Sequence, residues 1–387
     1  MRILLFGEAS FLHNTLKKGL AECGHDVLLA SDGNNWHNSP RDIDLRRNMR
    51  WGKLGGLKVL WKLLVNVRKL VGNDVVQIHN YQFVPLKMKW NELILRFLKR
   101  HNRCIVKGCY GDDPFVLKRQ AEGVPAYSDT YYKGKKQNVE ANRARLAEME
   151  LPEVVHCWSY ASRMADALVP CLYEYWLCYD VFPYNQKLHY IPLPMEIPAE
   201  ACVAEITPER PLTVLVGIQP GRDYIKGARY IAGLVRQVAD ENPGRIDVKV
   251  VEGVPYDEYC RLLGEADVLV DQLYSYTPSM NSLAAMARGT VVIGGGEEDF
   301  YGFIGENKLR PIINVRPGED EYNLEVLRRT LLDPVKIMDM KRQGIEFVRK
   351  YHDYSMVSRM YIDLYNTLIQ RKFGITSIFH KQRKYPL

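Results

Sequence analysis

The sequence predicts an α/β fold of two doubly wound parallel-sheet halves, and three observations predict it. Short apolar runs alternate with helical patterns from the first residues onward, the alternation restarts after a proline-rich stretch, and 387 residues exceed what one hydrophobic core usually holds. Strand, helix, strand units yield parallel pairs because the crossover returns each strand in the same direction.

In the first half RILLF (2–6) reads as a strand ending at Gly7. A helical pattern follows from Thr15 to Cys23, closed by Gly24, and HDVLLAS from His25 is a second strand. Further strands are expected at DVVQIHN (74–80), RCIVKG (103–108) and VVHCWS (154–159). Prolines crowd 192–211 and stiffen the backbone there, as a hinge between domains requires. The pattern resumes with LTVLVG (212–217), a helix from about Gly227, IDVKVVEG (246–253), a helix from Tyr256, ADVLVDQ (266–272), the helix SLAAMARG (282–289) and TVVIGG (290–295). From Tyr351 to Arg371, apolar residues at helical spacing predict a C-terminal helix that packs back on the body, followed by the basic tail KQRKYPL. The expected domains are 1–200, 201–350 and 351–387.

Composition narrows the function classes. At 47% hydrophobic and 26% charged residues the chain is globular, which excludes disordered and fibrous readings. A net charge of +7 suits an acidic small molecule, a phosphate-rich lipid surface or a nucleic acid, and no nucleic-acid module is recognisable. Eight cysteines without a CxxC pair read as reduced thiols of a cytosolic protein. No signal peptide is evident and no apolar run reaches about 18 residues, so a cytoplasmic chain is expected. Two basic segments laced with aromatic residues, 51–70 and 85–100, each read as a core-facing helix with a solvated basic face or as peripheral attachment to the anionic inner face of a membrane. The Asp42 and Asp44 pair falls in a polar stretch and reads as solvated, so no metal is expected.

Ligands of such sheets bind outside the carboxyl ends of the strands, here expected in a cleft where the two sheets face each other. In DQLYSYTPSMNSLAAMARG (271–289) a strand end, a small polar loop and a helix start come together. Free N–H groups and the positive end of the helix dipole suit a phosphate there, with Ser279, Asn281 and Ser282 as contacts or, for either serine, a helix cap instead. A loop at the end of the preceding strand carries Arg222 and Lys226, cations able to neutralise a diphosphate. After the first strand, Gly7 permits close approach of backbone to a ligand and His13 is a candidate general base near neutral pH. Of Asp112 and Asp113 in YGDD, one is expected to cap the helix beginning at Pro114 and the other to orient an acceptor hydroxyl. Asp112 and His13 are the catalytic candidates. Asp271 serves structure or orients its loop, and Glu297, Glu298 and Asp299 read as a solvated acidic loop.

With these features in order, the chain resembles the nucleotide-sugar-dependent glycosyltransferases of the GT-B fold, most closely glycosyltransferase family 4. The resemblance rests on GHDV (24–27), DVVQIHN, YGDD, YIPLP before the hinge, GRDYIKG (221–227), and ADVLVDQL followed by AAMARGTVVIGG. It implies a donor diphosphate held by Arg222 and Lys226, a nucleoside diphosphate sugar as donor without further cofactor, and a glycan or lipid-linked acceptor on the N-terminal side. Configuration would be retained and no metal used. The family's two glutamates, with seven residues between them, are replaced by Tyr276 and Ala284, and Glu297, Glu298 and Asp299, if not a solvated loop, are the candidates to substitute for a lost carboxylate. That departure leaves two other readings open: a non-catalytic nucleotide-sugar or partner-binding protein, and a sugar-nucleotide epimerase. A nicotinamide dehydrogenase fits least, since GEASFLH and GIQPGRD both lack GxGxxG.

Overall fold

Aliphatic runs buried on both faces form the strands, as parallel sheets covered by helices require. The structure, a computed structural model, describes residues 1–33, 38–199, 203 and 210–374. Its strands are β1 (Arg2–Phe6), β2 (Asp26–Ser31), β3 (Ile43–Asp44), β4 (Val75–Ile78), β5 (Cys104–Cys109), the hairpin β6 (Tyr131–Tyr132) and β7 (Lys135–Lys136), β8 (Ala167–Pro170), β9 (Leu212–Ile218), β10 (Ile246–Glu252), β11 (Val268–Val270), β12 (Val291–Gly294) and β13 (Ile312–Asn314). The first sheet has the order β3-β2-β1-β4-β5-β8 and the second β10-β9-β11-β12-β13. Pairing is parallel, with Ile3 opposite both Val27 and Val75, and Val214 opposite Val248 and Val268. Order reverses at β1 and at β9, the switch points where such sheets open to ligands.

Helices cover both sheets: α1 (Leu12–Glu22), α2 (Gly52–Val65), α3 (Val67–Leu70), α4 (Met88–His101), α5 (Pro114–Ala121), α6 (Val139–Met149), α7 (Pro152–Met164), α8 (Tyr173–Tyr179), α9 (Asp223–Lys226), α10 (Ala228–Glu241), α11 (Tyr256–Glu265), α12 (Met280–Met286), α13 (Glu298–Phe303), α14 (Asp320–Leu331), α15 (Pro334–Tyr351) and α16 (Tyr354–Phe373). The chain divides into two compact units. One comprises Met1–Gly108, His156–Val169 and the stretch from Ser355; the other comprises Cys109–Val155 and Pro170–Tyr354. The expected boundary at 200/201, part of the hinge at 192–211 and the basic tail at 381–387 lie outside the described residues. In the first unit α16 buries Val357, Tyr361, Leu364, Tyr365 and Leu368, and the Tyr365 hydroxyl donates to Gln77 Oε1 at 2.6 Å, fastening the helix to β4.

Two sequence expectations are corrected. Val154–Ser159 is not a strand but the middle of α7, because Val154, Cys157, Trp158 and Ala161 are the buried positions and their spacing is that of one helix face; β8 follows it. The Asp42 and Asp44 stretch is not solvated loop. Ile43 and Asp44 add the edge strand β3 to β2, Asp42 accepts from Lys17 at 2.6 Å and from the Leu29 N–H at 2.7 Å, and Asp44 pairs with Arg41 at 2.9 Å.

Candidate functional site

In the second unit, β11 runs directly into Asp271, whose side chain is 1% exposed. Four donors converge on its carboxylate: Lys226 Nζ at 2.8 Å, Ser279 Oγ at 2.9 Å, Asn281 Nδ2 at 3.1 Å and Ser282 Oγ. Burial alone would raise this carboxyl, but the Lys226 ammonium and the hydroxyl and amide donors hold it below the usual carboxylate range. Asp271 is therefore a fixed anion.

Local geometry delivers each partner. The single turn α9 ends at Gly227 in the left-handed region, φ 67°, and the Leu273 N–H donates to the Lys226 carbonyl at 2.7 Å. A Cβ on Gly227 would sit 2.8 Å from the Leu273 Cβ, so only glycine lets these loops close and bring Lys226 to Asp271. Ser279 occupies the cap position of α12, yet neither it nor Ser282 caps the helix, because both hydroxyls turn to Asp271. The backbone N–H groups of Met280, Asn281 and Ser282 consequently have no protein acceptor among the described residues. Arg222 stands exposed at the start of α9, with no side-chain partner among the described residues. A cavity of about 410 Å³, lined by Tyr132, Tyr230, Leu273 and Tyr274 among others, adjoins this loop.

Tyr276 is buried, and its ring stacks on Tyr127 with centroids 4.3 Å apart. The Tyr127 hydroxyl donates to Glu297 Oε1 at 2.9 Å. Glu297 was expected in a solvated acidic loop, and the structure corrects this: it is buried, and also accepts from Arg316 at 2.8 Å and Asn314 Nδ2 at 2.9 Å. Glu298 does remain at the surface, paired with Arg310 at 2.7 Å. On the other side of the loop, Glu174 in the first turn of α8 accepts from Thr277 Oγ1 at 2.6 Å and from the Tyr276 N–H at 3.4 Å. Burial outweighs these neutral donors and pushes its carboxyl up to about 7, where an acid exchanges protons near neutral pH. Sequence reasoning missed Glu174, and nothing in YEYWLCY marks it.

Asp113 is the capping member of YGDD: it accepts from the Phe115 and Val116 N–H groups at 3.0 and 2.9 Å, and from the Tyr179 hydroxyl. Asp112 pairs with Arg145 at 3.0 Å, and the same guanidinium binds Asp129. Burial raises both carboxyls, Asp129 to about 7. In the first unit, His13 lies on α1 and is wholly buried, with Nδ1 2.8 Å from the Gly7 carbonyl and Nε2 3.2 Å from Gln77 Nε2. Burial pushes its ring down to about 3, so it is neutral at physiological pH. Gly7, φ 86°, passes so close to His79 that a Cβ would fall 1.8 Å from its Nδ1. The structure thus gathers Lys226, Ser279, Asn281 and Ser282 on Asp271, leaves Arg222 exposed and puts Asp112 in a separate cluster of the same unit; His13 and Gly7 belong to the other unit. Among the described residues no group of three or more His, Cys, Asp and Glu is placed to hold a metal.

No family model and no curated protein matches this chain by sequence. Solved structures do match it along nearly its full length. Sucrose-phosphate synthase from Thermosynechococcus elongatus superposes with a TM-score of 0.57 at 14% identity, over 96% of this chain and 100% of that one. HepE of Anabaena, solved with UDP and glucose, gives 0.52 at 14% identity over 95% and 100%. WaaG, a glycosyltransferase involved in lipopolysaccharide biosynthesis, gives 0.52 at 13% identity over 97% and 100%. The fold is GT-B, with two Rossmann-like parallel-sheet halves and helices at the C-terminus.

Proposed function

We propose that this chain is a glycosyltransferase that moves a sugar from a nucleoside diphosphate sugar to a glycan or lipid-linked acceptor, in polysaccharide or glycoconjugate synthesis. The observation that carries this is the Asp271 cluster, which holds Lys226 beside a helix start whose first N–H groups are unclaimed. In this reading Ser279, Asn281 and Ser282 do not grip the phosphates through their side chains. They lock Asp271, Asp271 locks Lys226, and Lys226, the exposed Arg222 and the N–H groups of α12 face the diphosphate. Donors fixed in advance toward the oxygen on which charge develops stabilise the departing nucleoside diphosphate without a metal. The bound UDP of HepE and the GT-B fold support this donor class, and retention of configuration follows from the family resemblance. Asp112 orients the acceptor hydroxyl in this proposal. His13, neutral and buried, acts by holding the Gly7 loop.

A panel of nucleoside diphosphates and their sugars, read by thermal stabilisation, tests the reading. Ligand at about 100 times its dissociation constant adds roughly 2.7 kcal/mol. Stabilisation by one nucleotide that Arg222→Ala weakens is the expected result; no response across the panel overturns it. A second reading, donor binding without turnover, is favoured by one observation: Tyr276, at a position where the resembled family has a glutamate, is buried and stacked on Tyr127. Nucleotide binding without sugar release or transfer would select it.

A further inference from the structure

The solvent face of α2 is apolar. Leu54, Leu57, Trp61 and Leu64 are 67%, 59%, 60% and 68% exposed and recur at three- and four-residue spacing, so they form one stripe, while Gly55, Val59 and Leu63 are the buried side of the same helix. Met49 and Trp51, both exposed, lie in the short turn that precedes the helix. At about 100° per residue, Lys53 falls along one edge of the stripe and Lys58 along the other, while Lys62, beyond Lys58, turns to Asp44 at 3.8 Å. Arg50 precedes them, Arg68 and Lys69 follow, and no acidic residue lies between Asp44 and Asp74. Lys58 Nζ sits 4.8 Å from the Trp51 ring centre. The second basic segment differs: α4 buries Asn91, Leu95 and Leu98, and Leu93 is its only large exposed apolar residue.

We propose that α2 seats this chain on an anionic lipid bilayer, lying in the interfacial plane. An apolar stripe rimmed on both edges by cations, with indole rings at the level of lipid headgroups, is complementary to acyl chains beneath and negative headgroups around it. A partner protein groove would have to offer only acids along both edges, whereas an anionic leaflet does so everywhere. No helix among the described residues is long and apolar enough to cross a membrane, so the attachment is in-plane. This inference is independent of the donor reading.

The test is co-sedimentation of the full chain, without nucleotide, on vesicles of phosphatidylcholine alone and of phosphatidylcholine with phosphatidylglycerol. Binding to the anionic vesicles should exceed binding to neutral ones by more than about tenfold and fall with added salt. The triple variant Leu57→Ser, Trp61→Ser, Leu64→Ser should lose more than about tenfold in partitioning. Its melting temperature should hold, because the three side chains are exposed. Lys53→Gln with Lys58→Gln and Lys69→Gln should lose the preference for anionic lipid. Absence of vesicle binding, or equal binding by the apolar triple variant, overturns the proposal. So does a dimer in solution that the triple variant converts to monomer, which would assign the stripe to a second copy of the chain.

Discussion

Asp271 and Glu174 are two carboxylates of the same unit, on either side of one loop, and they behave oppositely. Asp271 is buried and Glu174 half-buried, and both accept hydrogen bonds from residues of the 276–282 stretch. The difference is a cation. Lys226 reaches Asp271 and holds it ionised, whereas the donors of Glu174 are a hydroxyl and backbone N–H groups, so its proton stays on to about pH 7. At these two sites neutral donors leave the carboxyl of Glu174 raised, and the neighbouring ammonium is what brings that of Asp271 down.

Removing the cation is the largest perturbation. Lys226→Ala leaves Asp271 buried and uncompensated, which should cost about 3–5 kcal/mol of stability. Adding Asp271→Asn should restore part of that loss, because the stranded charge is gone, without restoring stabilisation by nucleoside diphosphate. Denaturant titration of the two single variants and the double separates these terms. A double variant no more stable than Lys226→Ala would mean that the pair is not the source of the cost.

Glu174 supplies the next effect, and its sign follows from its titration. Between about pH 4.5 and 7 the folded chain keeps a proton on Glu174 that the unfolded chain has released. Stability therefore falls as pH rises through that window, and levels above it. With about 1.4 kcal/mol per pH unit of displacement, the total reaches about 3.5 kcal/mol at most. Glu174→Gln keeps an acceptor for Thr277 and removes the titration, so the difference between wild type and variant isolates this group from Asp129, which titrates in the same range. A flat difference between pH 5 and 8 would show that Glu174 does not titrate there.

Much of the Asp271 cluster was legible in the sequence. Lys226, Ser279, Asn281 and Ser282 all follow strand ends, where loops of parallel sheets collect, and were picked out for that reason. What they bind was not legible, since a phosphate and a carboxylate ask for the same donors. Glu174 and the burial of Glu297 were hidden for another reason: each packs against a partner more than a hundred residues away in sequence, Thr277 for the one and Tyr127 for the other. The alternation of strands and helices predicted both sheets, and failed at 154–159 because six residues hold too few turns to tell a helix face from a strand.

The smallest expected effect also tests which partners of Asp271 are scaffolding. Ser282→Ala deletes one neutral donor to a charged acceptor, leaving Lys226, Ser279 and Asn281 in place, so stability should fall by about 1.5–3 kcal/mol, at the lower end because three donors remain. Nucleoside diphosphate should still stabilise the variant, since the Ser282 hydroxyl points to Asp271 and only its backbone N–H is assigned to the phosphate. Thermal melts with and without nucleotide read both quantities. If the variant melts like wild type but loses the nucleotide response, the hydroxyl leaves Asp271 for the ligand, and the division between a scaffold of side chains and a binding surface of backbone fails at this residue.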